Sequence, residues 1–178
     1  MNTVSRLSAC LAGITLLLAG LPLLAEGKLV VYTVNYPLQY FAERIAAGHA
    51  EVILPAPAGV DPAFWQPDAA TVLAYQQADL VLLNGAGYAK WLSRVSLPRR
   101  KQVDTSAAFR DRYLRVSQDV THSHGREGDH SHSGVAFTTW LDFSLAAEQA
   151  RAVAAALARL RPQLAAVFDD NLEKLQQD

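Results

Sequence analysis

The chain has 178 residues, a formal net charge of −1 and 51% hydrophobic residues, which suits one packed domain on the usual scale of ~100–200 residues. A charge so near zero, with no long basic run, leaves no electrostatic footprint for nucleic acid. The single cysteine, Cys10, lies in the first segment, so a chain cut after residue 25 has no disulfide, thiolate ligand or thiolate nucleophile.

That first segment, residues 1–25, reads as a secretory signal peptide. Arg6 supplies a positive start, residues 7–24 are almost wholly apolar, and the small Ala25 stands at the cut point before Glu26 and Gly27. A retained membrane helix is the competing reading, since the run approaches the ~18 residues a span needs. Pro22 and the Leu-Leu-Ala ending favour cleavage. Leu7-Ser8-Ala9-Cys10 resembles a lipoprotein box but precedes most of the apolar run instead of following it, so no lipid anchor is expected. Nothing later in the sequence is apolar enough to cross a membrane, and the expected location is the periplasm.

Lys28 to Val34 is rich in β-branched and aromatic residues without clean alternation, as in a strand buried on both faces. After Asn35-Tyr36-Pro37, the residues Leu38, Phe41, Ala42 and Ile45 fall at helical spacing, with Gly48 as the stop. His49, alone beyond that helix, reads as a partner for the helix dipole. Glu51 to Leu54 reads as a second strand. Residues 55–67 hold four prolines and one glycine, which predicts a structured loop without regular hydrogen bonding.

Asp68 can cap a helix through Tyr75, and Ala78 to Leu83 reads as a third strand ending at Asn84-Gly85. Asn84-Gly85-Ala86-Gly87 lacks the remaining residues of a phosphate loop and is read as a tight turn. A helix is predicted around Tyr88 to Val95 and a short strand near Gln102-Val103, with Arg99-Arg100-Lys101 as a solvated basic run. From Ser144 the stripe Leu145, Gln149, Val153, Leu157, Leu160 marks an amphipathic helix. Pro162 opens another, with Leu164, Phe168, Leu172 and Leu175 on one face. Strands alternating with helices predict an α/β fold, a parallel sheet flanked by helices and ending in a long C-terminal helix.

Residues 121–133 break this order and are expected to form a mobile surface loop. They carry four of the five histidines, as His122-Ser123-His124 and His130-Ser131-His132. In an extended segment residues i and i+2 share a side, so each pair can offer two imidazoles to one ion. Two such arms joined by a glycine-containing turn can close a four-nitrogen shell, which suits Zn²⁺ and is tolerable for Cu²⁺ or Ni²⁺; Asp129 or Glu127 can replace one arm. With no apolar residues to hold supporting contacts, the expected affinity is below that of a structural zinc site, and the expected role is capture, sensing or hand-off. Imidazole binds metal only when neutral, so binding should weaken as pH falls through ~6.5.

Asn35-Tyr36-Pro37-Leu38 leading into a helix, the loop with Asp61-Pro62, the strand running into Asn84-Gly85, Trp91-Leu92, a His-rich loop and Trp140-Leu141-Asp142 together resemble the solute-binding receptors of bacterial zinc and manganese ABC importers. The resemblance covers essentially the whole chain after residue 25. It implies a two-lobed receptor, its lobes joined by a long helix, with a zinc or manganese ion held between them and handed to a membrane permease. On that basis residues 26–161 are the N-terminal lobe and 162–178 the start of the linking helix. The resemblance further leads to the expectation that the second lobe is absent, as in a truncated product, a gene fragment or a divergent short form.

The sequence departs from the family pattern at two places. Where the family has Asp-Pro-His it reads Asp61-Pro62-Ala63, and before Trp140-Leu141-Asp142 the expected histidine is Thr138. Alanine offers no donor and a threonine hydroxyl is a poor zinc ligand, so neither residue carries over as a metal site. Pro62, Trp65, Pro67, Trp140 and Asp142 remain as rigid loop, packing and helix-cap residues. The chain has no Ser/His/Asp or Cys/His set and no His-Glu-x-x-His helix, and is expected not to be an enzyme. Two alternatives to the import receptor are a periplasmic metal buffer that uses the same loop, and a metal-independent adaptor that docks through the face a second lobe would cover.

Overall fold

The computed structural model describes residues 27–116, 121–123, 129–131 and 134–178, with backbone alone for 116, 121–123 and 129–131. The expected signal peptide lies outside the described residues, as do His124 and His132.

Four strands, β1 (Leu29–Thr33), β2 (Ala50–Ile53), β3 (Leu80–Leu83) and β4 (Gln102–Asp104), form a parallel sheet in the order β2-β1-β3-β4. Leu80, Val81 and Leu82 are consecutive and all buried, as expected of a central strand covered on both faces. The chain leaves β1 in one direction to reach β2 and returns past it to reach β3. Right-handed crossovers therefore put α1 (Tyr36–Ala46) and α2 (Ala69–Gln77) on opposite faces. On the α1 side, α3 (Phe143–Leu160) and α4 (Ala165–Gln177) pack against α1 and against each other. On the α2 side, the Tyr75 ring stands 4.9 Å from both Tyr32 and Trp91.

The helix ends follow from local chemistry. Asn35 Oδ1 accepts the Leu38 amide at 3.1 Å, Asp68 Oδ1 the Thr71 amide at 2.8 Å, and Asp142 Oδ1 the Ser144 amide at 2.8 Å, each satisfying an amide with no partner inside its helix. The Thr71 amide holds the Asp68 carboxyl, and the Ser144 hydroxyl followed by the Ser144 amide hold the Asp142 carboxyl, below the usual carboxylate range. α1 ends one residue before the expected glycine, at Ala47 with φ 45°, and Gly48 follows at φ 88°. α3 ends at Leu160 because Pro162 has no amide to continue it, and a 3₁₀ turn at Pro162–Leu164 leads into α4.

Two readings of the sequence are corrected here. The helix expected around Tyr88 to Val95 is a 3₁₀ turn at Lys90–Arg94. Gly85, Ala86 and Gly87 all have positive φ and use the connection up in a left-handed turn, and Ser93 Oγ donates to the Lys90 carbonyl at 2.9 Å, a local bond that competes with helix. The basic run is not merely solvated. Lys101 Nζ donates to the Gln76 and Gln77 carbonyls at 3.0 and 3.1 Å, placing a cation on the negative end of α2.

Candidate metal centre

In a sheet of this order ligands sit beyond the carboxyl ends of the strands where the direction of winding reverses, here between β1 and β3. That crevice is filled by the chain's own side chains. Asn35 Nδ2 and Gln149 Nε2 both donate to Asn84 Oδ1, at 3.0 and 3.2 Å. Gln149 also donates to Thr105 Oγ1 at 3.0 Å, and Asn84 Nδ2 to the Phe137 carbonyl at 2.9 Å. No buried side-chain polar atom among the described residues lacks a hydrogen-bond partner, so this crevice presents no orphaned group to a ligand. Gln149, read in the sequence as one step of an apolar stripe, is fully buried and links α3 to the strand ends.

The network fixes the segment that carries Thr138, and an aromatic cluster joins it to the loop that carries Ala63. Tyr88 meets Phe137 at 5.2 Å and Trp140 at 5.6 Å edge to face, and Phe64 meets Phe137 at 6.3 Å. Ala63 is fully buried. Its amide is held by Asp61 Oδ1 at 2.9 Å and its carbonyl by the Lys90 amide at 3.4 Å. Burial, and secondarily Asp61, push the Tyr88 phenol well above its ordinary range, so it stays neutral and is no metal ligand at neutral pH. Of the two positions where the resemblance places imidazoles, Ala63 is packed in the core, and Thr138 is half-buried. Among the described residues no group of three or more His, Cys, Asp or Glu side chains is disposed to hold an ion.

Thr138 lines an open cleft of about 470 Å³ with Arg112, Leu114, Leu141 and Asp142. Leu114, Leu141 and, beside them, Phe143 are 74%, 71% and 87% exposed, a concentration of apolar surface on one rim. Trp65 and Trp140 pack against the core. His49 is exposed, and its ring lies edge-on to Phe168 of α4 at 6.4 Å, a packing contact across to α4 that the single-helix dipole reading did not foresee.

The His-rich segment rises from this rim. A short antiparallel stalk pairs β5 (Arg115–Val116) with β8 (Gly134–Val135), and the Ala136 amide bonds the Leu114 carbonyl at 2.8 Å. Beyond it, β6 (Thr121–Ser123) and β7 (Asp129–Ser131) form a second antiparallel ribbon. The segment expected to be a mobile surface loop therefore contains a ladder. Its register sets Thr121 against Ser131, His122 against His130 and Ser123 against Asp129. Of the four candidate ligands, His122 and His130 are thus brought opposite one another, while His124 and His132, like Glu127, lie outside the described residues.

The family model for ZnuA, the zinc-uptake complex component A periplasmic, matches residues 31–178. The chain belongs to this family. It is 30% identical over 134 residues to the zinc-binding lipoprotein AdcA of Streptococcus pneumoniae, a match that takes in 73% of this chain and 27% of that protein. Among solved structures, the Mn-bound periplasmic metal binding protein of Candidatus Liberibacter asiaticus superposes with a TM-score of 0.68 at 21% identity, covering 84% of this chain and 52% of the other. The Ni²⁺ complex of the SBP FpvC from Pseudomonas aeruginosa superposes with a TM-score of 0.66 at 21% identity, over 84% and 50%. The ZnuA family fold is therefore the fold of this chain, which spans about a quarter of the AdcA relative and about half of the solved receptors. Among the described residues no helix is long and apolar enough to cross a membrane.

Proposed function

We propose that the chain is a periplasmic metal receptor working with the membrane permease of an ABC importer, and that it captures zinc through His122, His124, His130 and His132 and not at the position between lobes. Membership of the ZnuA family supports a transport role without enzymatic activity. The name of the AdcA relative supports zinc; the neighbours bound to Mn and Ni keep Mn²⁺, Ni²⁺ and, on donor chemistry, Cu²⁺ as competitors. The observation that carries the choice of site is the register of the ribbon, which sets His122 against His130, while Ala63 is buried without a donor.

The test is a zinc titration of the chain, by competition with a chromophoric chelator, beside a variant with all four histidines changed to Ala. Stoichiometric binding that is lost in the variant, and that weakens below pH ~6.5 as imidazole protonates, supports the hairpin as the site. An unmodified chain that binds no zinc rules it out. The exposed Leu114, Leu141 and Phe143 favour, as a second reading, a metal-independent adaptor that docks by this rim. Failure to bind zinc together with self-association or partner capture through that rim would favour it. Receptor and buffer separate in the cell: deletion of a receptor causes an uptake defect cured by added zinc, deletion of a buffer a loss of metal tolerance with normal uptake.

A further inference from the structure

Among the described residues seven large apolar side chains are exposed, and five of them, Tyr36, Val60, Leu114, Leu141 and Phe143, lie at the edge of the sheet where its strands end. Tyr36 opens α1 directly after β1, Val60 sits in the loop that follows β2, and Leu114 and Leu141 line the cleft that Thr138 shares, with Phe143 beside them. The other two, Leu73 and Val167, stand apart on α2 and α4. Exposed apolar residues scattered singly are ordinary, whereas their concentration on one edge marks an interaction face. The three at the rim of the cleft expose several hundred Å², the scale of the largest patch on a typical monomer and less than the ~800 Å² each partner gives to a standard interface.

The rim holds both halves of a contact. Phe143 keeps 87% of its surface in solvent, so it does not fill the cleft beside it. That cleft, of about 470 Å³, has Leu114, Ala136, Leu141 and Leu145 among its lining residues and is large enough to admit an aromatic ring. A contact about a two-fold axis sets residue i of one copy against residue j of the other and the reverse, so a free ring next to an open cleft fits a second copy of the same surface. The charges agree with this. The exposed Asp111 and Asp142 stand in the same segments as the exposed Arg112 and Arg115, and Arg112 also pairs with Glu148. A surface of mixed sign can set cation against carboxylate across a two-fold axis, where a surface of single sign would repel its own copy.

We infer that a second copy of this chain covers the rim, Phe143 of each copy entering the cleft of the other. This commits the docking reading of the rim to one occupant and is independent of where metal is held. The patch is small for an interface, so the dimer is weak and forms in the micromolar range.

The experiment is sedimentation velocity of the full chain from roughly 1 to 200 µM, a range that brackets a weak interface, with a chelator present so that metal bridges between copies contribute nothing. The unmodified chain is compared with Phe143→Asp and with Leu73→Asp, an equal change at an exposed apolar residue away from the rim, and thermal unfolding confirms that both variants keep the fold. The unmodified chain should pass from monomer to dimer over this range. Phe143→Asp should raise the dimer Kd at least ~30-fold, the effect of losing a central anchor, and Leu73→Asp should leave it unchanged. A dimer that Phe143→Asp leaves intact overturns the proposal, as does an unmodified chain that stays monomeric throughout. Such a monomer, if it binds the detergent-solubilised permease in a manner lost in Phe143→Asp, keeps the rim as a docking surface with the permease as its occupant; if it binds no permease, the docking reading of the rim falls as well.

Discussion

Gly85→Ala destabilises the chain by roughly 2–4 kcal/mol, read as a shift of the urea midpoint and a fall in Tm on the order of 5–15 °C for a domain of this size. Gly85 has φ +72°, and a Cβ there would lie 1.9 Å from Ser106 Oγ and 2.2 Å from Asp104 Oδ1. A left-handed backbone costs an alanine about 1–2 kcal/mol, and the contact adds to it because those oxygens are tied down. Asp104 Oδ1 accepts the Ser106 amide and hydroxyl at 3.1 and 2.9 Å, and Asp104 Oδ2 is bound by Arg110. Making room breaks one or two of these bonds, each worth about 0.5–1.5 kcal/mol. Gly87→Ala is the control: its φ is similar, +69°, yet its Cβ would meet only Lys90 Nζ at 3.8 Å, so it carries the backbone cost of about 1–2 kcal/mol alone. Equal effects from the two alanines would contradict this account of the turn.

Phe168→Ala costs about 3–5 kcal/mol, the usual range for removing a buried aromatic ring. Phe168 is fully buried although it sits on α4, and α4 is held to the rest of the fold elsewhere as well. Asn171 Nδ2 donates to the Ile45 carbonyl at 3.0 Å, and Arg44 pairs with Asp178. Exposed ion pairs such as the latter contribute about 0–1 kcal/mol, so docking of α4 rests on its apolar face. Val167→Ala, on the solvent side, should stay within ~0.5 kcal/mol. If Phe168→Ala behaves like Val167→Ala in urea unfolding, α4 is not part of the core.

The sheet was legible because its strands are short apolar runs set between helical stripes, and β1 and β3 fall within a residue or two of their expected limits. Helix starts were legible where a cap has one chemical meaning, as at Asp68 and Asp142. Residues whose partners are distant in sequence were not. Gln149 sits at a core spacing and reads as a flaw in a stripe until Asn84 and Thr105, 65 and 44 residues away, are seen to bond it. Lys101 reads as surface until the C-terminus of α2, 24 and 25 residues earlier, is placed beside it. The histidines were visible as a composition, but a strand's register depends on the chain that pairs with it. Spacing alone gave two equivalent pairs, whereas the ladder sets the backbone of His122 opposite that of His130.

The proposed function separates scaffold from capture. Ala63 is buried and tied to Asp61 and Lys90, and Asn84 fixes the segment that carries Thr138 through the Phe137 carbonyl, while the four histidines proposed as ligands belong to the segment that follows the Leu114 to Ala136 stalk. The measurement that tests this most directly is anomalous diffraction at the zinc edge from crystals of the zinc-loaded chain. The account predicts a peak on the segment that carries His122, His124, His130 and His132, with none beside Ala63 and Thr138. A peak beside Ala63 and Thr138, with the ribbon empty, would contradict it.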